Sequence, residues 1–477
     1  MKIADHFSEY NVGSYRLVIQ SLFLFLLVPL SYLAFVELVS ANEARFINDF
    51  TNPNYFNLDI KYIYYFQILS QFLGALIVLN LSLLLIVNWY VGIDHKRLTS
   101  IYIAYYRITW FIIKITTLLV ILIFIFIIVV SINNIFPEFK LRYWSFLILG
   151  ATIIGTLSAF FVVLSIIYKF EKKTSFNVVG YKISKNDQPE LFKLIKECSN
   201  KIKTKIPDNV VLGTTEGFFV ISSDVSLINR DKEELLTGRT LYISYLMLSI
   251  LTKDELRGII GHELAHFSGE DTEYSDKYKS LYFTLAEKFK YFRKGFEENE
   301  KKQKEMGIAG PISTFFEKFF LMMLFNPIMY ITINMLIKNY KICMNQELRA
   351  DTIGSKLCKN KKSMISGLCK FQIYSQINKN LFDNISKNRG KSLIFEFNKT
   401  YKEYLLSYKF KDILTMIIAY EMSHPCDTHP PIIERMQNLN INFADIKESD
   451  LTKKIPSASN YIKNYDQLDE LLFKFII

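Results

Sequence analysis

The pentapeptide His262-Glu263-Leu264-Ala265-His266 combines two imidazoles and a carboxylate at a spacing that can serve chemistry. On an α-helix of roughly 3.6 residues per turn, side chains four positions apart point in directions that differ by about 40°. Both imidazoles can therefore bind one ion, and two His at this spacing are typical of zinc sites. The carboxylate between them can take a proton from water beside that ion. These residues predict zinc-assisted hydrolysis.

The surrounding sequence predicts the helix that such a site needs. Thr252 and Glu255 have the spacing of a capping box, which predicts a helix that begins there and ends near Phe267, before Gly269. Apolar residues recur at helical spacing, and they would bury one face of the helix and hold the two imidazoles still. These residues are Leu256, Ile259, Ile260, Leu264 and Phe267.

The two imidazoles leave a catalytic zinc short of one protein ligand, because such a zinc takes about three and keeps one position for water. Glu347 is a candidate, and Asp351 lies one helical turn further on, where it could accept the second N–H of a zinc-bound imidazole. Cys343, His424 and His429 are rival third ligands. The residue types alone leave this choice open.

Three blocks of sequence resemble the integral-membrane gluzincin zinc metallopeptidases, the family that includes HtpX and the CAAX prenyl proteases. The first block is Gly261–His266, the second is Glu347–Asp351, and the third is Thr428–Pro431 followed by Glu434-Arg435. The blocks come in the order in which the family carries them. They lie between about residue 180 and residue 440, and the flanking sequence matches only in being membranous or helical.

The resemblance implies a ligand set and a general base. By position in the family's motifs, His262, His266 and Glu347 would bind one Zn²⁺ per subunit. Glu263 would take a proton from the attacking water and pass it to the leaving amine.

The resemblance also implies three supporting residues. Asp351 would hold a zinc-bound imidazole from behind, and His429 and Arg435 would line the cleft near the developing oxyanion. A His-Pro-Pro turn is also how a loop enters an ordinary helix, because proline is favoured in the first turn. Structural hydrogen bonding is therefore the alternative role for His429 and Arg435.

Half of the residues are hydrophobic, which is more than an ordinary soluble enzyme carries. The excess lies near the N-terminus, and it predicts a lipid bilayer as one partner of the chain. Four stretches are long and apolar enough to be membrane spans. They are Leu17–Val36, Phe66–Val87, Trp110–Val130 and Trp144–Ile167.

Basic residues set the predicted orientation. They are enriched in the second connection, around His95-Lys96-Arg97, and after the fourth span, at Lys169, Lys172 and Lys173. The first and third connections carry acidic residues. The positive-inside rule then predicts a multi-pass protein of the inner membrane with both termini and the peptidase domain in the cytoplasm.

A fifth apolar stretch, Phe315–Ile337, lies between the two halves of the site. A single crossing would put Glu347 on the opposite side of the membrane from His262 and His266. Two crossings need roughly forty apolar residues, more than are present. Asn326-Pro327 also interrupts the stretch, so it is predicted to be a kinked core helix or a helix on the membrane surface.

Periodicity predicts an α+β, mostly helical fold with a small sheet after the four-helix transmembrane region. The predicted domains are a transmembrane region over residues 1–175, a zincin-type metallopeptidase domain over 176–445 and, over 446–477, a C-terminal surface tail that docks its final turn. The predicted helices are Gln188–Lys201, Lys362–Asn378, Phe395–Leu405 and Lys411–Glu421, and the predicted strands are Asn209–Leu212, Phe218–Ile221 and Thr240–Ser244.

The strand before the zinc helix is predicted to bind substrate. Thr240, Leu241 and Tyr242 would form an edge strand that pairs with an extended peptide backbone. The alternative is an interior strand that is paired on both sides.

The net charge of +11 does not indicate nucleic acid, because the Lys residues are dispersed and no nucleic-acid motif accompanies them. Anionic lipid headgroups explain the excess better. The five Cys have neither metal nor disulfide spacing, which fits a reduced compartment. Nothing in the sequence predicts an oligomeric state.

Together these features predict a membrane-anchored zinc metalloendopeptidase that cleaves a peptide or protein substrate associated with the membrane, in membrane-protein quality control. The alternative is a membrane scaffold or sensor that keeps the zinc-peptidase fold without useful catalysis.

Overall fold

The structure is a computed structural model that describes the chain in several stretches. They are residues 60–92, 176–214, 217–229, 232–269, 309–387, 392–419, 429–452 and 455–473, together with residues 19, 100–101, 271–272, 278, 298 and 301. The chain divides into two compact units, Met1–Lys172 with Ser280–Asn339 and Lys173–Lys279 with Tyr340–Ile477.

The strands lie together in the sequence between the first and third described helices, and helices follow them, which is the α+β order predicted for the peptidase part. In chain order the elements are α1 Ile60–Val91, β1 Phe176–Val179, β2 Tyr181–Ile183, α2 Pro189–Ile202, β3 Asn209–Gly213, β4 Phe219–Ile221, β5 Val225–Asn229, β6 Lys232–Leu236, β7 Thr240–Ser244, α3 Lys253–Ser268, α4 Ala309–Leu357, α5 Lys362–Lys387, α6 Leu393–Ser407, α7 Phe410–Ala419, α8 Ile432–Asn438, α9 Glu448–Thr452 and α10 Tyr465–Phe473. Short 3₁₀ turns lie at Met247–Ser249, Phe443–Asp445 and Ala458–Tyr461.

Helix α1 contains the second predicted span, Phe66–Val87. The other predicted spans, Leu17–Val36, Trp110–Val130 and Trp144–Ile167, lie outside the described residues apart from Ile19. Among the helices of the described stretches, none is both long enough and apolar enough to cross a membrane. The four crossings stay predictions.

Helix α4 runs through Asn326-Pro327, so the stretch Phe315–Ile337 is helical as predicted. Proline removes one backbone donor from a helix, and this 49-residue helix tolerates that loss. Asn326 and Tyr330 are buried, as a core helix requires.

Within the first unit, polar side chains join α4 to the C-terminal end of α1. Asn88 donates to Tyr330 Oη at 3.0 Å and to Asn334 Oδ1 at 3.1 Å. The Lys338 ammonium donates to the carbonyl oxygens of Asn88 and Gly92, the latter at 3.0 Å. A cation is favoured at this end of a helix, where carbonyl groups lack intrahelical donors.

A four-stranded sheet precedes helix α3 in the second unit, with the order β2-β3-β7-β4. Strand β7 pairs in parallel with β3 and antiparallel with β4. Thr240, Leu241 and Tyr242 are therefore interior, and their prediction as a substrate edge is wrong. The reason is that the strand predicted over Phe218–Ile221, for which no neighbour was predicted, pairs with β7 on the side away from β3. A second sheet of three strands has the order β1-β5-β6.

The core of the second unit surrounds helix α3, which carries His262 and His266. Its N-terminus has the predicted capping box: Thr252 Oγ1 accepts from the Glu255 N–H, and Glu255 Oε2 accepts from the Thr252 N–H at 2.7 Å. Leu256, Ile260 and Leu264 are fully buried, with side chains of α5 in the same apolar cluster. Each apolar side chain removed from water contributes about 1.5–3 kcal/mol, so this face fixes the helix in place.

A buried ion pair holds the start of α3 against α5. The ammonium of Lys370 lies 2.8 Å from Glu255 Oε2 and also donates to the Ile250 carbonyl, and Ser366 donates to Glu255 Oε1 at 2.6 Å. Glu255 thus serves the helix cap and a charge pair at once.

Residues 446–473 belong to the core of the second unit, so their prediction as a surface tail is wrong. Six apolar side chains of this segment join the main cluster: Ile446, Leu451, Ala458, Ile462, Leu468 and Leu472. The backbone of Pro456 and Ala458 also hydrogen-bonds to the residues that begin α3. The Lys-, Asp- and Ser-rich composition concealed these apolar residues because they are widely spaced.

Candidate metal centre

Three side chains from α3 and α4 meet at one point in the second unit. His262 Nε2 lies 3.3 Å from His266 Nε2 and 3.4 Å from Glu347 Oε2, and His266 Nε2 lies 3.2 Å from Glu347 Oε1. Of the His, Cys, Asp and Glu residues in the described stretches, only these form a group of three that can hold a metal ion. The predicted ligands are therefore brought together.

The spacing of these donor atoms fits zinc. Ligand bonds of about 2.0–2.1 Å in a tetrahedral arrangement separate the donors by about 3.3–3.4 Å. The three observed distances, 3.2 to 3.4 Å, agree with that value. Two imidazoles and one carboxylate are also a usual donor set of catalytic zinc.

Glycines allow α3 and α4 to approach closely enough for this geometry. A Cβ at Gly354 would lie 2.6 Å from the carbonyl oxygen of Gly258 and 3.0 Å from the His262 nitrogen. A Cβ at Gly261 would meet Leu357 at 2.5 Å. The contact between the two helix backbones thus sets Glu347 and Asp351 opposite the imidazoles.

Asp351 lies behind His262. Its Oδ1 is 2.9 Å from His262 Nδ1, and the Asp351 side chain is fully buried. Arg435 donates to both carboxylate oxygens, from Nε at 2.7 Å and from Nη2 at 2.6 Å. A carboxylate on Nδ1 fixes the tautomer that leaves Nε2 available to a metal.

Asp271 has the same relation to His266, and the sequence analysis missed it. Asp271 Oδ2 lies 3.0 Å from His266 Nδ1. A guanidinium nitrogen of Arg349 also donates to this oxygen. The only signal in the sequence is a carboxylate five residues after the second His of the motif.

His429 and Arg435 both approach the same oxygen of Glu347. The His429 side chain is 66% exposed, and its Nδ1 lies 2.8 Å from Glu347 Oε2. The Arg435 side chain is buried, with Nη2 at 3.6 Å from the same oxygen. Of the rival ligands, Cys343 is not in the group of three donors, and His424 lies outside the described residues.

The charges of the centre favour a cation. Burial lowers the pKa of both imidazoles, but Glu347 and Asp351 outweigh it and raise the pKa of His262 to about 9. Asp271 and Glu347 likewise raise the pKa of His266 to about 10. Burial alone would raise the pKa of Glu347, yet His429 and His262 hold it well below its usual range. Glu347 is therefore ionised, as a candidate metal ligand must be.

Glu263 lies on the same helix between the two imidazoles and is buried. Burial raises its pKa, while His262 and His266 oppose that shift. A carboxylate whose pKa is raised is a better proton acceptor than an exposed one. The centre thus has a metal-ligand set beside a candidate base.

Comparison with known families identifies the same segment. Residues 235–441 match the model of peptidase family M48, the family of HtpX and the CAAX prenyl proteases. The match contains α3, Glu347 and the His429 block, and it confirms the predicted family. No curated protein and no solved structure matches the chain.

Proposed function

We propose that this chain, whose residues 235–441 belong to the metallopeptidase family M48, is a membrane-anchored zinc metalloendopeptidase. The observation that carries the proposal is the meeting of His262, His266 and Glu347 at zinc-ligand spacing, with Glu263 on the same helix.

His262, His266 and Glu347 would hold the metal. When bound there, Zn²⁺ acts as a Lewis acid and lowers the pKa of a water molecule toward neutrality. The carboxylate of Glu263 accepts the proton of the attacking water and returns it to the leaving amine. Its burial, which raises the pKa, suits both steps.

The roles proposed for His429 and Arg435 differ. His429 is exposed and beside Glu347, so it can donate to an oxyanion that develops in the cleft. Both oxygens of Asp351 accept from Arg435, whose side chain is buried. We therefore assign Arg435 to holding Asp351 behind His262.

Strand β4 replaces β7 as the proposed substrate edge. No described strand pairs with β4 on the side away from β7, and alternate N–H and C=O groups of such a strand point outward. An extended peptide can add there by β-augmentation. A Val220→Pro variant should raise KM for a peptide more than it lowers kcat, and an unchanged KM would refute this assignment.

Apolar stretches in the N-terminal sequence support the membrane anchor, and the distribution of Lys and Arg supports a cytoplasmic peptidase domain in the inner membrane. With that location we propose a membrane-associated substrate and a part in membrane-protein quality control. Protease added outside intact inner-membrane vesicles of known orientation should reach residues 176–473 only from the cytoplasmic face. Digestion from the opposite face would reverse the orientation.

Casein cleavage by the full-length chain in detergent tests the proposed activity. Cleavage should stop when a chelator removes the metal and return when Zn²⁺ is added back. A protein that binds zinc and cleaves nothing would instead support the scaffold or sensor.

A further inference from the structure

The contacts around His266 form a second Asp–Arg pair at the centre. His266 Nδ1 lies 3.0 Å from Asp271 Oδ2, and the Asp271 side chain is buried. Arg349, two residues after Glu347, donates to the same oxygen and to the Ala265 carbonyl at 3.3 Å. Arg349 thus connects the helix that carries Glu347 to the end of the helix that carries both imidazoles.

This arrangement repeats the one at the other imidazole. At His262, the Nδ1 atom faces Asp351, and Arg435 donates to both Asp351 oxygens. Each predicted zinc-binding imidazole is therefore backed by one carboxylate, and each carboxylate is neutralised by one guanidinium. In both cases the Nε2 atom faces the other donors.

Gly269 provides independent support, because the Arg349 guanidinium occupies the space that a side chain at position 269 would need. It follows the last residue of α3 and has φ −100°, a conformation open to any residue. A Cβ at this position would nevertheless overlap the Arg349 guanidinium. A side chain here would therefore displace Arg349 without straining the backbone.

We infer that Asp271 and Arg349 are positioning residues for His266. Asp271 accepts the Nδ1 proton and so fixes the tautomer whose Nε2 binds zinc, and Arg349 holds Asp271 in place. This inference rests on the proposed zinc centre. Loss of such a carboxylate partner typically weakens metal affinity by about 10–100-fold.

Zinc affinity, measured by competition with a chelator, tests the inference on the full chain in detergent. Asp271→Ala should bind zinc about 10–100-fold more weakly than wild type. Asp271→Asn keeps an acceptor oxygen and should recover part of the loss. Asp450→Asn is the matched control, because Asp450 is also an acceptor but lies partly exposed in the short helix α9.

Gly269→Ala keeps Asp271 and displaces only Arg349, so it covers the case in which an Asp271 variant fails to fold. It should weaken zinc binding several-fold, and Co²⁺ bound in place of zinc should show a changed visible spectrum, which reports ligand geometry. Arg349→Lys should weaken binding less than Arg349→Ala.

The outcomes separate the two claims. Wild type without bound zinc would overturn the zinc centre and the positioning pair together. Zinc-loaded wild type, with affinity and Co²⁺ spectra unchanged in Asp271→Ala and Gly269→Ala, would overturn the positioning pair alone.

Discussion

At the scale of residues, the centre is built from paired charges. Glu347, Asp351 and Asp271 are buried carboxylates, and each touches an imidazole. Arg435 forms an ion pair with Asp351, and Arg349 forms one with Asp271, so each guanidinium compensates one carboxylate. Burying a charge without a partner is costly, so these contacts explain how several ionised groups remain in one core.

The thiols of the second unit carry a prediction about pH. Burial outweighs the attraction of Arg257 and raises the pKa of Cys198 to about 11, and burial raises the pKa of Cys358 to about 12. The reactive form of a thiol is the thiolate. With pKa values this high, both thiols are protonated and unreactive near neutral pH. At pH 8 the folded protein should therefore alkylate slowly at both positions, and its reaction rate should rise as the pH approaches 11. Mass spectrometry after iodoacetamide treatment measures this, with the denatured chain as control. Equal labelling of folded and denatured protein would contradict it.

Residue spacing revealed only part of the site. Asp351 was predictable because it lies one turn after Glu347 on the same helix. Asp271 was not, because it lies beyond the end of α3, where the helical spacing of the motif no longer predicts which side chains meet. Arg435 was assigned to the cleft by resemblance, whereas its contact with Asp351 depends on how α8 packs.

At the scale of elements, the crossing of α3 and α4 determines whether the ligands meet. Gly354 lies against the backbone of α3, where no side chain can move aside. Gly354→Ala should separate the helices, destabilise the domain by about 1–3 kcal/mol and weaken zinc binding. The measurements are thermal unfolding and zinc affinity.

Gly367→Ala is the control for this prediction. Gly367 lies in α5, and the one tight contact of a Cβ there would be the terminal methyl group of Ile259 at 3.1 Å, since the next atoms lie at ordinary contact distance. That side chain can shift, and alanine is the better helix former. Equal effects of the two substitutions would show that the helix crossing does not set the site.

Local sequence patterns predicted where helices and strands form better than they predicted which elements pack against each other. The capping box gave the start of α3, and Thr240–Ser244 is a strand as predicted. The interior position of β7 was not predictable from its own residues, since it depends on pairing with β4. The length of α4, 49 residues, was not predictable from the apolar stretch Phe315–Ile337, because the helix continues through the polar residues that follow it.

At the scale of the molecule, the C-terminal segment completes the peptidase unit. Leu472 is fully buried in the main core, while its neighbour Leu471 is 40% exposed. Leu472→Ala should destabilise this unit by about 2–5 kcal/mol, and Leu471→Ala should cost far less. Thermal unfolding compares the pair, and equal shifts would mean that residues 446–473 are not part of the core.

Composition did not show which segments of the chain pack together. The polar composition of 446–477 suggested a tail, and only the packed structure reveals six core residues there. The division into units also differs from the predicted domains, since residues 280–339 group with the N-terminal region. Such long-range groupings depend on tertiary contacts, which a single sequence does not display.

The central claim is that Glu263 is the base of a zinc peptidase, and a comparison of wild type with Glu263→Gln tests it most directly. Zinc content and cleavage of a peptide substrate are measured on the same purified samples. We expect one zinc per chain in both proteins and cleavage by wild type only, because the substitution keeps the ligands and removes the proton acceptor. Equal cleavage by the two proteins would contradict the claim.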